Sequence, residues 1–133
     1  MNSKLLQEIK SELTHLKKYE VIIYGSYASG TATRRSDRDV AIISKLSNPN
    51  RNKALFLKVV GRAPEKYDIK IFELLPLDIK ASLMQHYTVI YGDPLEISEY
   101  FYHFRKLWND VKQRYFENQF NSIDEKLLAL GQT

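Results

Sequence analysis

The sequence contains no cysteine, and this absence excludes several kinds of chemistry. Disulfide bonds, thiolate metal sites and cysteine nucleophiles all need a side chain that the chain lacks. Only three histidines are present, His15, His86 and His103, and they are not spaced as a metal-binding set. No apolar run approaches the roughly 18 to 20 residues that a membrane span requires. The polar N-terminal segment, MNSKLLQEIKSEL, has no apolar signal-peptide core, so we expect a cytoplasmic protein.

The length and composition favour one folded domain. A chain of 133 residues can bury a single core but not two. Its content of 44% hydrophobic and 27% charged residues is typical of a folded protein. The formal net charge of +4 suits an anionic partner, but basic proteins are common. We therefore expect a phosphorylated ligand rather than nucleic acid.

Hydrophobic periodicity predicts alternating helices and strands. Leucine and isoleucine recur at helical spacing from Ser3 to about Lys18. The β-branched runs EVIIYG, RDVAIIS and KYDIKIF predict three strands, and the helical segment NRNKALFLKVVGR should cross between the last two. Pro76 is placed to open a helix in PLDIKASLMQHY, and TVIYGD predicts a fourth, shorter strand. This order predicts an α+β fold, or mixed α/β, with a small mixed sheet flanked by helices.

The C-terminal part predicts a long helix from Leu95 to about Asn118. A capping-box spacing from Ser122 to Glu125, with Gly131 as a stop, then predicts a short separate helix. We therefore divide the chain into a domain, 1–118, and a tail, 119–133. The long helix carries more aromatic side chains than one helix face can bury, namely Tyr100, Phe101, Tyr102, Phe104, Trp108, Tyr115 and Phe116. They could pack in the core, form a protein interface or stack on single-stranded RNA.

The segment YGSYASGTATRRSDRDV, residues 24–40, combines a glycine turn with a pair of aspartates. Residues two apart in an extended segment share a face, so Asp37 and Asp39 should project together. Their like charges favour a divalent cation such as Mg²⁺, although a solvated loop balanced by Arg34, Arg35 and Arg38 would also explain them. Gly25 and Ser26 follow a strand directly, where backbone N–H groups can approach a phosphate. Together these features indicate a nucleotide site.

The spacing decides which kind of nucleotide site is meant. GSYASG fits the start of a P-loop, but TA stands where the P-loop needs lysine and a serine or threonine. What remains is Gly-Ser, ten residues, then Asp-x-Asp, on a strand, turn and strand. A third acidic residue, Asp68, lies in the strand KYDIKIF, and Lys70 shares its face. Without this context, Asp68 could equally be a strand residue paired with a neighbouring lysine.

These residues resemble the signature of the DNA polymerase beta superfamily of nucleotidyltransferases, in its minimal nucleotidyltransferase (MNT) branch. The resemblance covers about Val21 to Tyr91 and implies the nucleotidyltransferase fold. It implies that Asp37, Asp39 and Asp68 are catalytic and hold magnesium, with two ions expected. It also implies that Gly25 and Ser26 bind the nucleotide, and we add Arg35 and Lys70 as candidates. The sequence departs from the family at Ser29, where many relatives have arginine.

The resemblance further implies a reaction and a partner. Members of this branch transfer AMP from ATP to a hydroxyl, and many act as antitoxins of HEPN-domain toxins, in some cases on a toxin tyrosine. We therefore expect a protein adenylyltransferase that acts on a HEPN-domain toxin. The long C-terminal helix is the expected contact in a homo- or hetero-oligomer. The alternative is a non-catalytic antitoxin that neutralises its partner by occlusion.

Overall fold

Four strands form one mixed sheet. The structure is a computed structural model that describes residues 1–33 and 36–131. The strands are β1 (Glu20–Tyr24), β2 (Arg38–Ile43), β3 (Tyr67–Ile71) and β4 (Tyr87–Tyr91), in the order β3-β2-β1-β4. β1 is antiparallel to β2 and β4, and β2 is parallel to β3. The four predicted strands are confirmed, although β4 has five residues like β1 and β3 and is not shorter than they are.

Within the described residues, five α-helices accompany the sheet. They are α1 (Ser3–Glu12), α2 (Ser26–Ser29), α3 (Pro49–Val60), α4 (Leu77–Leu83) and α5 (Pro94–Gly131), and short 3-10 helices span Thr14–Leu16 and Phe72–Leu74. α3 connects the parallel strands β2 and β3, as the sequence predicts, because parallel neighbours need a crossover connection. Its N-terminus is capped by the Asn48 side chain, which accepts from the backbone N–H groups of Asn50 and Arg51.

Helices pack on both faces of the sheet, and successive side chains of a strand point to opposite faces. Val21 and Ile23 of β1 belong to a core cluster with residues of α1 and α3, and we call this side the α1/α3 face. Ile22 of β1 points the other way and packs with Ile97 and Phe101 of α5, on what we call the α4/α5 face. β1 and β2 are thus held from two sides, whereas β3 buries its α1/α3 face and leaves Asp68 and Lys70 exposed on the other. A buried face specifies the register of each of these strands at the site described below.

Two helix boundaries differ from the sequence prediction. The first helix ends at Glu12 rather than continuing to about Lys18. There the Thr14 hydroxyl donates to the backbone carbonyls of Lys10 and Ser11, a contact that competes with regular helix bonding. α4 begins at Leu77, with Pro76 in the cap position just before it.

α5 is a single helix of 38 residues, about 57 Å long at 1.5 Å per residue. The predicted end near Asn118 and the separate short helix after Ser122 are wrong, because the helix continues through both. No glycine or proline interrupts residues 95–130, and extending a formed helix costs less than starting a new one. The division of the chain into 1–118 and 119–133 stays a prediction. Within residues 1–33 and 36–131, no helix combines the length and apolarity needed to cross a bilayer.

Candidate active site

Four side chains form a row across one end of the sheet. Tyr24 is the register partner of Tyr87 on β4 and of Asp39 on β2, and Asp39 is the register partner of Asp68 on β3. Register partners point to the same face, here the α4/α5 face. We call these four residues the acidic row. The structure therefore brings Asp39 and Asp68 side by side, on two adjacent strands as the sequence predicts.

The two carboxylates repel each other. The pKa of Asp39 is raised, chiefly by burial and then by the negative charges of Asp68 and Asp37. Lys70 opposes this effect, and its Nζ lies 3.7 Å from Asp68 Oδ2. Lys70 thus lies on the predicted face and beside Asp68. Asp37 precedes β2 and is exposed, and its charge reaches Asp39.

The two carboxylates of the acidic row fit magnesium if substrate phosphates and water complete its coordination. Within the part of the chain that the structure describes, no three histidine, cysteine, aspartate or glutamate side chains are grouped closely enough to hold a metal by themselves. Magnesium is usually held by one or two protein carboxylates together with substrate phosphates and water. Asp39 and Asp68 supply such a pair, and a cation between them would relieve the repulsion that raises the pKa of Asp39.

The glycine turn lies directly against the acidic row. Gly25 has φ +74° and ψ −144°, a conformation almost restricted to glycine. A Cβ at this position would lie 2.7 Å from Asp39 Oδ2, so the absent side chain also makes room for the carboxylate. The turn is exposed, and α2 begins at Ser26 immediately after it. The first N–H groups of a helix have no partner within that helix, and they are donors that an anion can use.

The remaining sequence candidates divide into two groups. Arg34 and Arg35 lie outside the described residues, so the nucleotide-binding role of Arg35 stays a prediction. Ser29, which replaces the family arginine, has its hydroxyl 2.9 Å from that of Thr31. Arg38 is not a counter-ion for the aspartates beside it. Its side chain is only 11% exposed and lies on the α1/α3 face.

The sequence analysis did not name Tyr24 as a site residue, and it considered Arg38 only as a counter-ion of the aspartates. Tyr24 lies in the acidic row, and burial together with the charges of Asp39 and Asp68 raises its pKa to about 12, so its hydroxyl stays protonated at neutral pH. Arg38 is held by Glu8 and Glu12. The sequence contained a signal for Arg38: strand alternation directs it away from the aspartates, and two glutamates four residues apart on α1 could meet a buried cation.

The aromatic residues of α5 divide between core and surface. Phe101 is fully buried, with its ring 4.8 Å from that of Phe72 and 5.1 Å from that of Tyr87. Farther along, Phe116 is 58% exposed beside Trp108. A cavity of about 530 Å³ lies between α4 and this part of α5. The core interpretation therefore holds for Phe101, and the second half of α5 presents an apolar surface.

The mixed sheet, the adjacent carboxylates and the glycine turn agree with the nucleotidyltransferase fold that the sequence resemblance implies. The family model for the nucleotidyltransferase domain matches residues 3–127, and the chain belongs to that family. The predicted nucleotidyltransferase is thereby confirmed at the level of the family.

Two relatives come from Methanocaldococcus jannaschii. The chain is 46% identical over 112 residues to the protein named "Putative protein adenylyltransferase MJ1547", covering 84% of this chain and 87% of that one. It is 32% identical over 75 residues to "Putative protein adenylyltransferase MJ0141", covering 54% of this chain and 76% of that one.

Solved structures share the fold. A chain in the crystal structure of a toxin-antitoxin with AMP-PNP superposes with a TM-score of 0.60 at 17% identity, over 92% of this chain and 98% of that one. A chain in the structure of a tri-AMPylated Shewanella oneidensis HEPN toxin with its MNT antitoxin gives 0.56 at 15% identity, over 96% and 99%. At these identities the likeness establishes the fold, and the predicted nucleotidyltransferase fold is confirmed.

Proposed function

We propose that the chain is a Mg²⁺-dependent protein adenylyltransferase that transfers AMP from ATP to a hydroxyl of a partner protein. The observation that carries the proposal is the register pairing of Asp39 with Asp68 beside the exposed Gly25 turn. The relative at 46% identity, whose name gives this activity, supports the choice of reaction. The reaction needs a supply of ATP, and a cytoplasmic location is part of the proposal.

In this proposal the aspartates hold magnesium and the glycine turn binds the phosphates. Asp37, Asp39 and Asp68 would hold one or two magnesium ions, which when bound supply positive charge against the triphosphate. The backbone N–H groups after Gly25, with the Ser26 hydroxyl, face the outgoing phosphates.

The proposed reaction forms one bond and breaks another. The acceptor oxygen bonds to the α-phosphorus, the bond from the α-phosphorus to the α,β-bridging oxygen breaks, and pyrophosphate leaves. Asp68 accepts the proton of the acceptor hydroxyl at a carboxylate oxygen or orients that hydroxyl. Lys70 balances the charge of Asp68, and Lys70 and Arg35 are proposed to contact the nucleotide phosphates.

We propose that the acceptor is a tyrosine of a HEPN-domain toxin and that this chain is its antitoxin. Structures of the same fold contain a toxin-antitoxin pair and a tri-AMPylated HEPN toxin. In this chain, the apolar surface on the second half of α5, which includes Phe116, offers a contact for a protein partner. The partner contact through α5 is part of the same proposal.

The test uses ATP labelled at either the α- or the γ-phosphate. The chain is incubated with a candidate HEPN-domain partner protein, Mg²⁺ and one of the two labels. We expect label on the partner from α-labelled ATP and none from γ-labelled ATP, with loss of labelling in Asp39→Asn and Asp68→Asn. Asp93→Asn, the same change at an exposed position before α5, should label normally, because the asparagine oxygen can still accept from the Leu95 N–H. Undiminished labelling by both active-site variants would refute the proposed roles.

The second candidate function is neutralisation by occlusion, without group transfer. The exposed apolar side chains of α5 favour it, because such a surface can bind a partner whether or not transfer occurs. A stable complex without label would support this function over the first. The salt dependence of the complex also identifies the kind of binding, because contacts to RNA phosphates weaken steeply as salt rises and apolar contacts do not.

A further inference from the structure

Arg38 occupies an unusual position, between the two aspartates of the Asp-x-Asp motif but on the opposite face of the sheet. Its guanidinium donates to Glu8 Oε2 at 3.3 Å, to Glu12 Oε1 at 3.2 Å and to the Tyr67 hydroxyl at 2.9 Å. The Tyr67 hydroxyl in turn donates to Glu12 Oε1 at 3.1 Å. A buried guanidinium needs such partners, and here they come from α1 and β3.

The same guanidinium also lies against two aromatic rings. Its central carbon is 5.3 Å from the centre of the Tyr27 ring and 5.4 Å from that of Tyr67. Both distances are within the range of a cation–π contact. Tyr27 belongs to α2, the helix that begins at Ser26 directly after the Gly25 turn.

The contacts of Arg38 therefore reach the three segments that carry the glycine turn and the aspartates. Tyr27 is one residue from Ser26, Tyr67 is one residue from Asp68, and Arg38 itself separates Asp37 from Asp39. The backbone joins the segments in the same way, because the Arg38 N–H donates to the Lys66 carbonyl at 2.9 Å. Arg38, which belongs to the Asp-x-Asp segment, thus contacts both the helix after the glycine turn and the start of β3 on the α1/α3 face.

We propose that Arg38 is a positioning residue that holds the glycine turn and the three aspartates in their mutual arrangement from behind the sheet. The proposal deepens the proposed function and rests on it for its catalytic consequence. Arginine suits this role because its planar fork can donate to several acceptors while its faces stack on rings. Lysine would keep the charge but offers a compact ammonium that cannot span the same partners.

The main test compares Arg38→Lys with Arg105→Lys. Arg105 is a part-buried arginine on α5 whose Nη2 donates to the Met84 carbonyl at 3.1 Å, so the control makes the same chemical change away from the site. Arg38→Lys should lower kcat for AMP transfer about 10- to 100-fold, the scale of a small misplacement of reacting groups. The KM for ATP should change less than kcat, because Arg38 is placed to touch no substrate and acts only through the segments that do.

A second readout does not depend on activity. Amide hydrogen exchange is compared at 25–27, 37–39 and 67–68 in the two variants and the wild type. Arg38→Lys should increase exchange in all three segments, and Arg105→Lys in none. A role limited to global stability would instead raise exchange throughout the sheet. If exchange in the three segments stays at the wild-type level, the proposal is refuted.

Tyr67→Phe keeps the test falsifiable if Arg38→Lys does not fold. This variant removes the hydroxyl that accepts from Arg38 and donates to Glu12, but it keeps the ring. It should raise exchange in the same three segments by less. If both variants fold, the double variant should lose less activity than the product of the single losses, because the residues form one network. If the loss in the double variant equals the product of the two single losses, the proposal is refuted.

The proposed function and the role of Arg38 can fail separately. A wild type that folds normally but transfers no AMP refutes the proposed function, and the exchange comparison then decides the role of Arg38.

Discussion

Gly25→Ala tests whether the glycine turn shapes the acidic row. The substitution adds one methyl group at a residue with φ +74° and ψ −144°. Alanine is strained in this region, at a cost of about 1–3 kcal/mol. The new methyl would also start 2.7 Å from Asp39 Oδ2, whereas ordinary contact begins near 3.4 Å, so the carboxylate must retreat by roughly 0.7 Å.

These two effects predict different losses. The backbone strain lowers the free energy of unfolding by about 2 kcal/mol, and this loss of stability does not depend on catalysis. The displaced carboxylate lowers AMP transfer about 100-fold, because misplacing a reacting group by about 1 Å costs this much. The loss of activity should persist at temperatures where the variant is fully folded.

Gly30→Ala is the matched control. Gly30 also has a positive φ, +81°, but a Cβ at this position would have no neighbour within 4 Å. It should therefore lose about 1 kcal/mol of stability through strain alone and transfer AMP within about threefold of the wild type. Chemical denaturation measures the first quantity and labelled ATP the second. If the two variants lose the same activity at equal folded fractions, the close approach of Gly25 to Asp39 does not matter for activity and the reasoning is refuted.

Three further predictions concern stability. Asp39→Asn removes a carboxylate whose pKa is raised in the folded state, so in EDTA at pH 7 the variant should have a Tm at or above the wild type. The gain fades as the pH falls through the raised folded pKa and is gone below the unfolded pKa near 3.8; a lower Tm at pH 7 would contradict this. Burial raises the pKa of Glu12, but its hydrogen-bonding and basic neighbours lower it by more, so the net pKa lies below 4.5. Its stabilisation is present above the unfolded pKa and lost as the pH falls through the folded pKa, so Glu12→Gln should be less stable at pH 7 and approach the wild type in acid; equal Tm at pH 7 would refute this. Tyr100→Phe removes a 2.7 Å hydrogen bond to Glu73 and should cost about 1–2 kcal/mol in urea denaturation, whereas Tyr102→Phe, 61% exposed, should cost almost nothing; equal costs would exclude the hydrogen bond as the cause.

The placement of Asp39 and Asp68 could be predicted from the sequence because it follows from strand periodicity. Residues two apart share a face, and a helix between two β-branched runs predicts parallel neighbours. From these two rules, the sequence alone predicts that the two acidic segments lie on adjacent strands. The spacing from Gly25 to Asp37 then adds the turn. The exact neighbour of Gly25 could not be predicted, because it depends on the antiparallel register of Tyr24 with Asp39.

The end of the long helix could not be predicted, because a capping motif is only a local preference. Ser122 and Glu125 have capping-box spacing, yet they lie inside α5. A cap forms only where the backbone leaves the helix, and nothing in residues 117–121 requires it to leave. The early end of α1 at Glu12 shows the opposite case, in which apolar periodicity continues to Leu16 while local bonding by Thr14 changes the helix type.

The charges around β2 are arranged differently on its two faces. On the α4/α5 face, Asp39 and Asp68 repel each other, which lowers stability in the absence of a cation. On the α1/α3 face, Arg38 meets two glutamates within 3.3 Å and stabilises the same strand. The strand can therefore carry an unfavourable acidic pair because a favourable ionic network holds it from behind. If the proposed Mg²⁺ binds between Asp39 and Asp68, it would relieve this repulsion on the α4/α5 face and leave the ionic network of Arg38 unchanged. We therefore expect the protein to fold without the cation and to become more stable when the cation binds.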